Sequence, residues 1–152
     1  MNNFEERLHE LGIIVPSLPA PIANYVPAKR VGNLIYTAGQ VSSMDGHAYK
    51  GKLGDNLSLH EARAATRDCA INCLAAIKSV TGSLNHIVQV VAVHGLINST
   101  ADCEEQASAM NGASDFMVEV FGDVGKHTRT AVGVASLPMG FAASVYMIVE
   151  VK

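Results

Sequence analysis

Between His86 and Asn98 the chain places Ile87, Val88, Val90, Val91, Val93, Leu96 and Ile97, and no other stretch limits the choice of fold so strongly. β-Branched side chains crowd the preceding turn of a helix and suit the pleated surface of a sheet. Both alternating sets of positions are apolar, which predicts a strand covered on two sides. Helices can supply one cover, and the other is expected from a second subunit. Gln89 and His94 interrupt the run, which is far shorter than the roughly 20 apolar residues of a spanning helix. No membrane segment is expected.

Two long helices flank this strand. Ser58 followed by Glu61 forms a capping box, in which each side chain satisfies the other residue's free backbone N–H. The helix is predicted to run to about Val80 and to stop at Thr81-Gly82-Ser83. Ala62, Ala65, Cys69, Cys73 and Ala76 recur three or four apart along it, a thin face that lets the helix approach a sheet closely. Ser99-Thr100 with Asp102, Glu104 and Glu105 predict the acidic opening of the second helix, where carboxylates favour the dipole. Cys103, Ala107, Met110, Met117 and Phe121 form its core stripe. Gly122-Asp123-Val124-Gly125-Lys126 closes it, without the spacing or the following hydroxyl of a phosphate loop.

The remaining elements follow from punctuation. Phe4, Leu8 and Leu11 mark a short amphipathic helix stopped by Gly12, and Pro16, Pro19 and Pro21 an extended arm within residues 1–24. Tyr25–Val31 and Leu34–Thr37 read as a hairpin turning at Gly32-Asn33, and His47–Lys50 as a short strand after Asp45-Gly46. Thr128–Ser136 and Ala143–Val151 are two closing strands. The order β-β-(β)-α-β-α-β-β predicts a single α/β (α+β) domain over 1–152, with one mixed sheet and two long helices on one face.

Composition narrows the functional classes. Of the 152 residues 16% are charged, against about a quarter in an average domain, which again points to apolar surface meeting another subunit. A net charge of −3 with no basic run longer than Lys29-Arg30 gives no footprint for a phosphate backbone, so no nucleic-acid partner is expected. Cys69 and Cys73, four apart on a helix, lie too far apart to bridge and read as small buried apolar residues. The six histidines are scattered without ligand spacing, so neither a metal nor another cofactor is expected. The N-terminus lacks a basic and then apolar leader, and a cytoplasmic placement is the simplest.

Three segments, in order, carry a resemblance to a known family: Val31-Gly32-Asn33-Leu34-Ile35-Tyr36-Thr37-Ala38-Gly39-Gln40, the helix containing Asn111, and Arg129-Thr130-Ala131-Val132-Gly133-Val134-Ala135-Ser136-Leu137-Pro138. Together they resemble the reactive-intermediate deaminase family, also called YjgF-like and known by the older label L-PSP endoribonuclease. The resemblance implies a chorismate-mutase-like fold and a homotrimer whose sheets pack about a central axis. It also implies sites in clefts between subunits, where active members hydrolyse 2-imino and enamine acids to 2-keto acids and ammonia.

Residue by residue, Arg129 matches the family arginine that holds the substrate carboxylate, a role suited to a permanently charged guanidinium fork. Tyr25 matches an aromatic lining residue supplied by the first strand, and Gly39 falls in the matching glycine hairpin. Ala38 stands where many members carry serine, and Ala131 replaces a cysteine whose role lies largely in its backbone. Asn111 matches a helix asparagine, with ligand contact and structural packing as competing readings. Ser144 stands fifteen residues after the arginine, where active members place a glutamate. A serine can hold water but cannot take its proton at neutral pH. The expectation is therefore a binder of small carboxylate metabolites with reduced or altered imine hydrolysis. The alternatives are a non-catalytic trimeric binding or sensing protein and, less favoured, a ribonuclease.

Overall fold

The computed structural model describes residues 3–18 and 23–152. In chain order the elements are α1 (Phe4–Glu10), β1 (Ala28–Val31), β2 (Leu34–Thr37), β3 (Gln40–Val41), β4 (Ser43–Met44), β5 (His47–Ala48), α2 (Leu59–Thr81), β6 (Ile87–Asn98), α3 (Gln106–Phe121), β7 (Thr128–Val134) and β8 (Ala143–Val151). The main sheet has the order β1-β2-β8-β6-β7, and β3 also pairs with β8. β6 and β7 are parallel, joined through α3, and the other pairs are antiparallel. The result is the mixed sheet with two long helices that the sequence predicts. Pro19 and Pro21 of the expected arm lie outside the described residues.

The predicted thin face of α2 lies against β8. Ala62, Ala65, Cys69, Cys73 and Ala76 are all buried. The Cys69 thiol reaches the Ala143 carbonyl at 3.5 Å and the Cys73 thiol the Val145 carbonyl at 3.2 Å. Larger residues would hold the helix farther from the strand. The capping box forms in both directions at 3.1 Å. Gly82 ends the helix at φ 78°, its N–H bonded to the Lys78 carbonyl, a left-handed geometry that glycine adopts without a Cβ clash. Asn72 extends from the same helix and donates to the carbonyls of Val41 and Ser43, fixing the link between β3 and β4.

α3 packs on α2 with little clearance. A Cβ on Gly112 would stand 1.9 Å from the Arg63 carbonyl oxygen, and Thr66 Oγ1 donates to the Ala109 carbonyl at 2.7 Å across the same crossing. On its other side α3 inserts Met110 over Gly95 of β6, where a Cβ would meet Met110 Sδ at 2.0 Å.

Two expectations need correction. α3 begins at Gln106, later than the acidic run suggests, and its first turn contains no acidic residue. The preceding backbone is committed elsewhere: Leu53 N–H donates to Asn98 O, Thr100 N–H to Leu53 O and Ser99 N–H to Val134 O. These bonds hold it extended through Thr100, so Cys103 precedes the helix rather than joining its stripe, and Ala107 is exposed. Tyr25 lies before β1, because the ladder ends where Ala38 N–H meets the Pro27 carbonyl, and Pro27 has no N–H with which to continue it. Among the described residues the helices cover one face of β6, as the sequence predicts, and the other face is open. Val93 and Ile97 are fully buried, whereas His94 and Leu96 on the alternate face are half-exposed.

That uncovered face extends across the sheet. Tyr146 pairs with His94, Ile148 with Tyr36, and Leu96 with Val132. Tyr36 is 44% exposed, Val132 43% and Tyr146 40%.

Candidate functional site

Near the start of β7 the register sets Arg129 opposite Val93, on the face that carries the helices. Its Nη1 donates to Asn111 Oδ1 at 2.8 Å and to Ser114 Oγ at 3.3 Å. Asn111 and Ser114 are three apart on α3 and so present one face. The described residues form four ion pairs, and none includes Arg129. The guanidinium is thus oriented through one nitrogen by neutral acceptors, while its charge has no carboxylate partner among the described residues. Such a fork suits a planar carboxylate from outside.

His127 adjoins this cluster. Its Nδ1 lies 2.6 Å from the Gly125 carbonyl and its Nε2 2.9 Å from Ser114 Oγ. Gly125 closes the turn after α3, where a Cβ would stand 2.4 Å from the Met117 carbonyl oxygen. The missing side chain is what lets the turn settle against the helix. Ser114, Val118, Lys126, His127 and Arg129 line an open depression of about 270 Å³. Ala131 follows Arg129 on the same face, half-buried against the core.

Ser144 and Gly39 form a separate group. A Cβ on Gly39 would stand 2.9 Å from Ser144 Oγ, and Ala38 directly precedes Gly39 in the chain, its N–H bonded to the Pro27 carbonyl. Ser144 shares a row with Leu96 and Val132, whereas Ala131 shares the next row with Gly95 and Val145. Neighbouring rows point to opposite faces, so Ser144 faces away from the helices. It is also three rows from Arg129 and two strands away, about 10 Å in each direction. Arg129, Asn111 and Ala131 are therefore brought together, while Ser144, Gly39 and Ala38 form a second cluster within the same chain. Tyr25 is 57% exposed in the segment before β1.

At the far end of β7 a larger cavity of about 540 Å³ is lined by Lys52, Ser99, Thr100, Gln106 and Gly133 among others. Lys52 Nζ donates to Asn98 Oδ1 at 2.9 Å and to the Ala135 carbonyl. Sequence reasoning did not single out this cavity, nor Ser114. The signal available for Ser114 was its spacing of three from Asn111 on a helix facing the arginine strand.

A mixed sheet backed by two helices, with β6 and β7 parallel across α3, defines a protein of the chorismate-mutase-like class. The chain belongs to the family described as "YjgF/chorismate mutase-like, putative endoribonuclease", whose model matches residues 5–151. It is 39% identical to Protein TCP17 of Trypanosoma cruzi over 147 residues, covering 95% of this chain and 92% of the relative. Among solved structures it is similar to the protein Atu1372 of unknown function from Agrobacterium tumefaciens, with TM-score 0.90, 38% identity, and coverage of 98% of this chain and 93% of that one. It is similar also to a "putative endoribonuclease" from Shewanella oneidensis, with TM-score 0.93, 33% identity, and coverage of 99% and 100%.

Proposed function

We propose that this protein binds small carboxylate-bearing metabolites in clefts between the subunits of a homotrimer, with Arg129 as the carboxylate anchor, and hydrolyses 2-imino or enamine acids there to 2-keto acids and ammonia. The observation that carries the reading is the Arg129 guanidinium, held by Asn111 and Ser114 and unpaired with any carboxylate among the described residues. The uncovered sheet face supports the assembly, since Tyr36, Val132 and Tyr146 would gain from burial against a second copy. The placement of Ser144, Gly39 and Ala38 away from Arg129 within one chain fits a cleft in which one subunit supplies the anchor and its neighbour the opposite wall, with Tyr25 in the latter.

Calorimetry with pyruvate tests the anchor. Wild type is expected to bind, and Arg129→Lys to bind at least tenfold more weakly with unchanged circular dichroism, because lysine keeps the charge and loses the fork. Equal affinity would remove the anchor role. Light scattering is expected to give a trimer, and a stable monomer at micromolar concentration would remove the inter-subunit cleft.

Ser144 favours a second reading, in which the trimer binds or senses such ligands without turning them over, because a serine at this place cannot accept a proton from water at neutral pH. Ammonia release from 2-iminopropionate generated in situ separates the two. The ribonuclease reading has the least support, since the net charge is −3 and an RNA backbone calls for the opposite sign.

A further inference from the structure

Gly125 O can only accept a hydrogen bond, so the contact at 2.6 Å requires the proton on His127 Nδ1. In the neutral ring Nε2 then carries the lone pair, and the Ser114 hydroxyl donates to it across 2.9 Å. A hydroxyl has one proton and two acceptor positions. Arg129 Nη1 occupies one acceptor position of Ser114, and a water can occupy the other. The structure therefore holds a hydroxyl, a base and a group orienting the base within hydrogen-bond reach of one another, the geometry of an activated O–H, directly beside the cation proposed to anchor substrate.

We propose that Ser114 and His127 form the proton relay that activates the hydrolytic water for an imine anchored on Arg129. This rests on the carboxylate-anchor reading and supplies the proton acceptor that Ser144 lacks. The water oxygen bonds to the imine carbon as the water gives its proton to Ser114 Oγ and Ser114 gives its own to His127 Nε2. The π pair of the C=N bond moves to nitrogen, which takes a proton back through the relay to give the carbinolamine. The carbinolamine hydroxyl then loses its proton to the relay and the C–N bond breaks. The departing nitrogen takes that proton as ammonia, the ketone remains, and Ser114 and His127 return to their starting protonation. One imine and one water yield one ketone and one ammonia.

The geometry is built rather than incidental. The turn at Gly122–Gly125 aims the Gly125 carbonyl at the ring, and the glycine lets that turn approach Met117. Ser114 is held by α3, whose seat on α2 is fixed by Gly112 and Thr66. Both side chains are half-buried, so water can reach them.

The test measures ammonia release from 2-iminopropionate by wild type, Ser114→Ala, His127→Ala and His127→Gln, alongside pyruvate binding by calorimetry. Both alanine variants are expected to lower kcat by about 10²-fold; His127→Ala should keep KM and pyruvate affinity within twofold of wild type, whereas Ser114→Ala, which also removes a contact to Arg129, should weaken pyruvate binding as well. Added imidazole is expected to restore His127→Ala, a recovery that a purely structural histidine would not show. His127→Gln, which keeps a polar side chain without the base, is expected to be as slow as His127→Ala and covers the case in which the alanine variant fails to fold. Wild-type kcat in the Ser114 and His127 variants would overturn the relay. So would pyruvate binding through Arg129 without acceleration of hydrolysis in wild type, an outcome that leaves the anchor standing. Absence of pyruvate binding would overturn the anchor and the relay with it.

Discussion

Gly39 and Ser144 face each other across a gap that has no room for another carbon: a Cβ on Gly39 would lie 2.9 Å from Ser144 Oγ. The two are more than a hundred residues apart, and β3 and β8 bring them together through the pairing of Val41 with Ser144.

Gly39→Ala is expected to cost about 1 kcal/mol, because the obstacle is a rotatable hydroxyl and the backbone there is not left-handed. In Gly39→Ala/Ser144→Ala the penalty should be smaller than the sum of the single changes. Urea unfolding of the four proteins measures the coupling, and strict additivity would show that the two side chains do not meet.

Gly112→Ala meets backbone where Gly39→Ala meets a side-chain tip. With Arg63 O at 1.9 Å, the helices α2 and α3 must part, and a loss of about 3 kcal/mol is expected. For a domain of this size that lowers Tm by about 6–12 °C. Calorimetry showing a Tm within 2 °C of wild type, a margin of about 1 kcal/mol or less, would contradict the close crossing.

The thiols should divide by burial. Burial pushes the Cys73 thiol up to about 12 and raises Cys69 well above the ordinary thiol range, whereas Cys103 is partly exposed. At pH 8 a disulfide reagent is expected to modify Cys103 promptly and the other two only on unfolding, since the thiolate is the reactive form. Rapid reaction of all three in the native protein would show that α2 does not seal its thin face against β8.

Asp68 gives a pH dependence of defined sign. Burial of its carboxyl raises the pKa, against the opposing charges of His47 and Arg67. A raised folded-state value means that the fold binds the proton more tightly than the unfolded chain. The stability contribution is then present in acid and is lost as pH rises through the ordinary carboxylate range to the raised value. Asp68→Asn should be more stable than wild type at pH 7, with the advantage shrinking below pH 4. A constant difference across that window, read from urea midpoints, would contradict the assignment.

The elements legible in the sequence were those with a local cause. The Ser58–Glu61 box, the small-residue face from Ala62 to Ala76 and the Gly32-Asn33 turn each act over a few residues, and each formed where expected. The start of α3 was misplaced because the decisive bonds, from Thr100 to Leu53 and from Ser99 to Val134, come from distant strands that no local pattern records. The site divided in the same way. Arg129 was legible from its motif. The distance of Ser144 from it depends on register, in which a shift of one residue exchanges the two faces of a sheet. Ser114, in mid-helix with no motif of its own, acquires meaning only beside His127.

The sheet order β1-β2-β8-β6-β7 places the last strand in the chain at the centre of the sheet. β2 and β6 do not touch as neighbours, and β8 is the strand to which both are hydrogen-bonded. The β1-β2 and β6-β7 pairs therefore share no ladder until β8 is inserted between them, which makes its docking a late and non-local event in folding. The same arrangement governs breathing of the native protein. β1 can fray alone, but opening β8 separates the sheet into two parts, so amide protons bonded between β8 and β6 should exchange only through global unfolding.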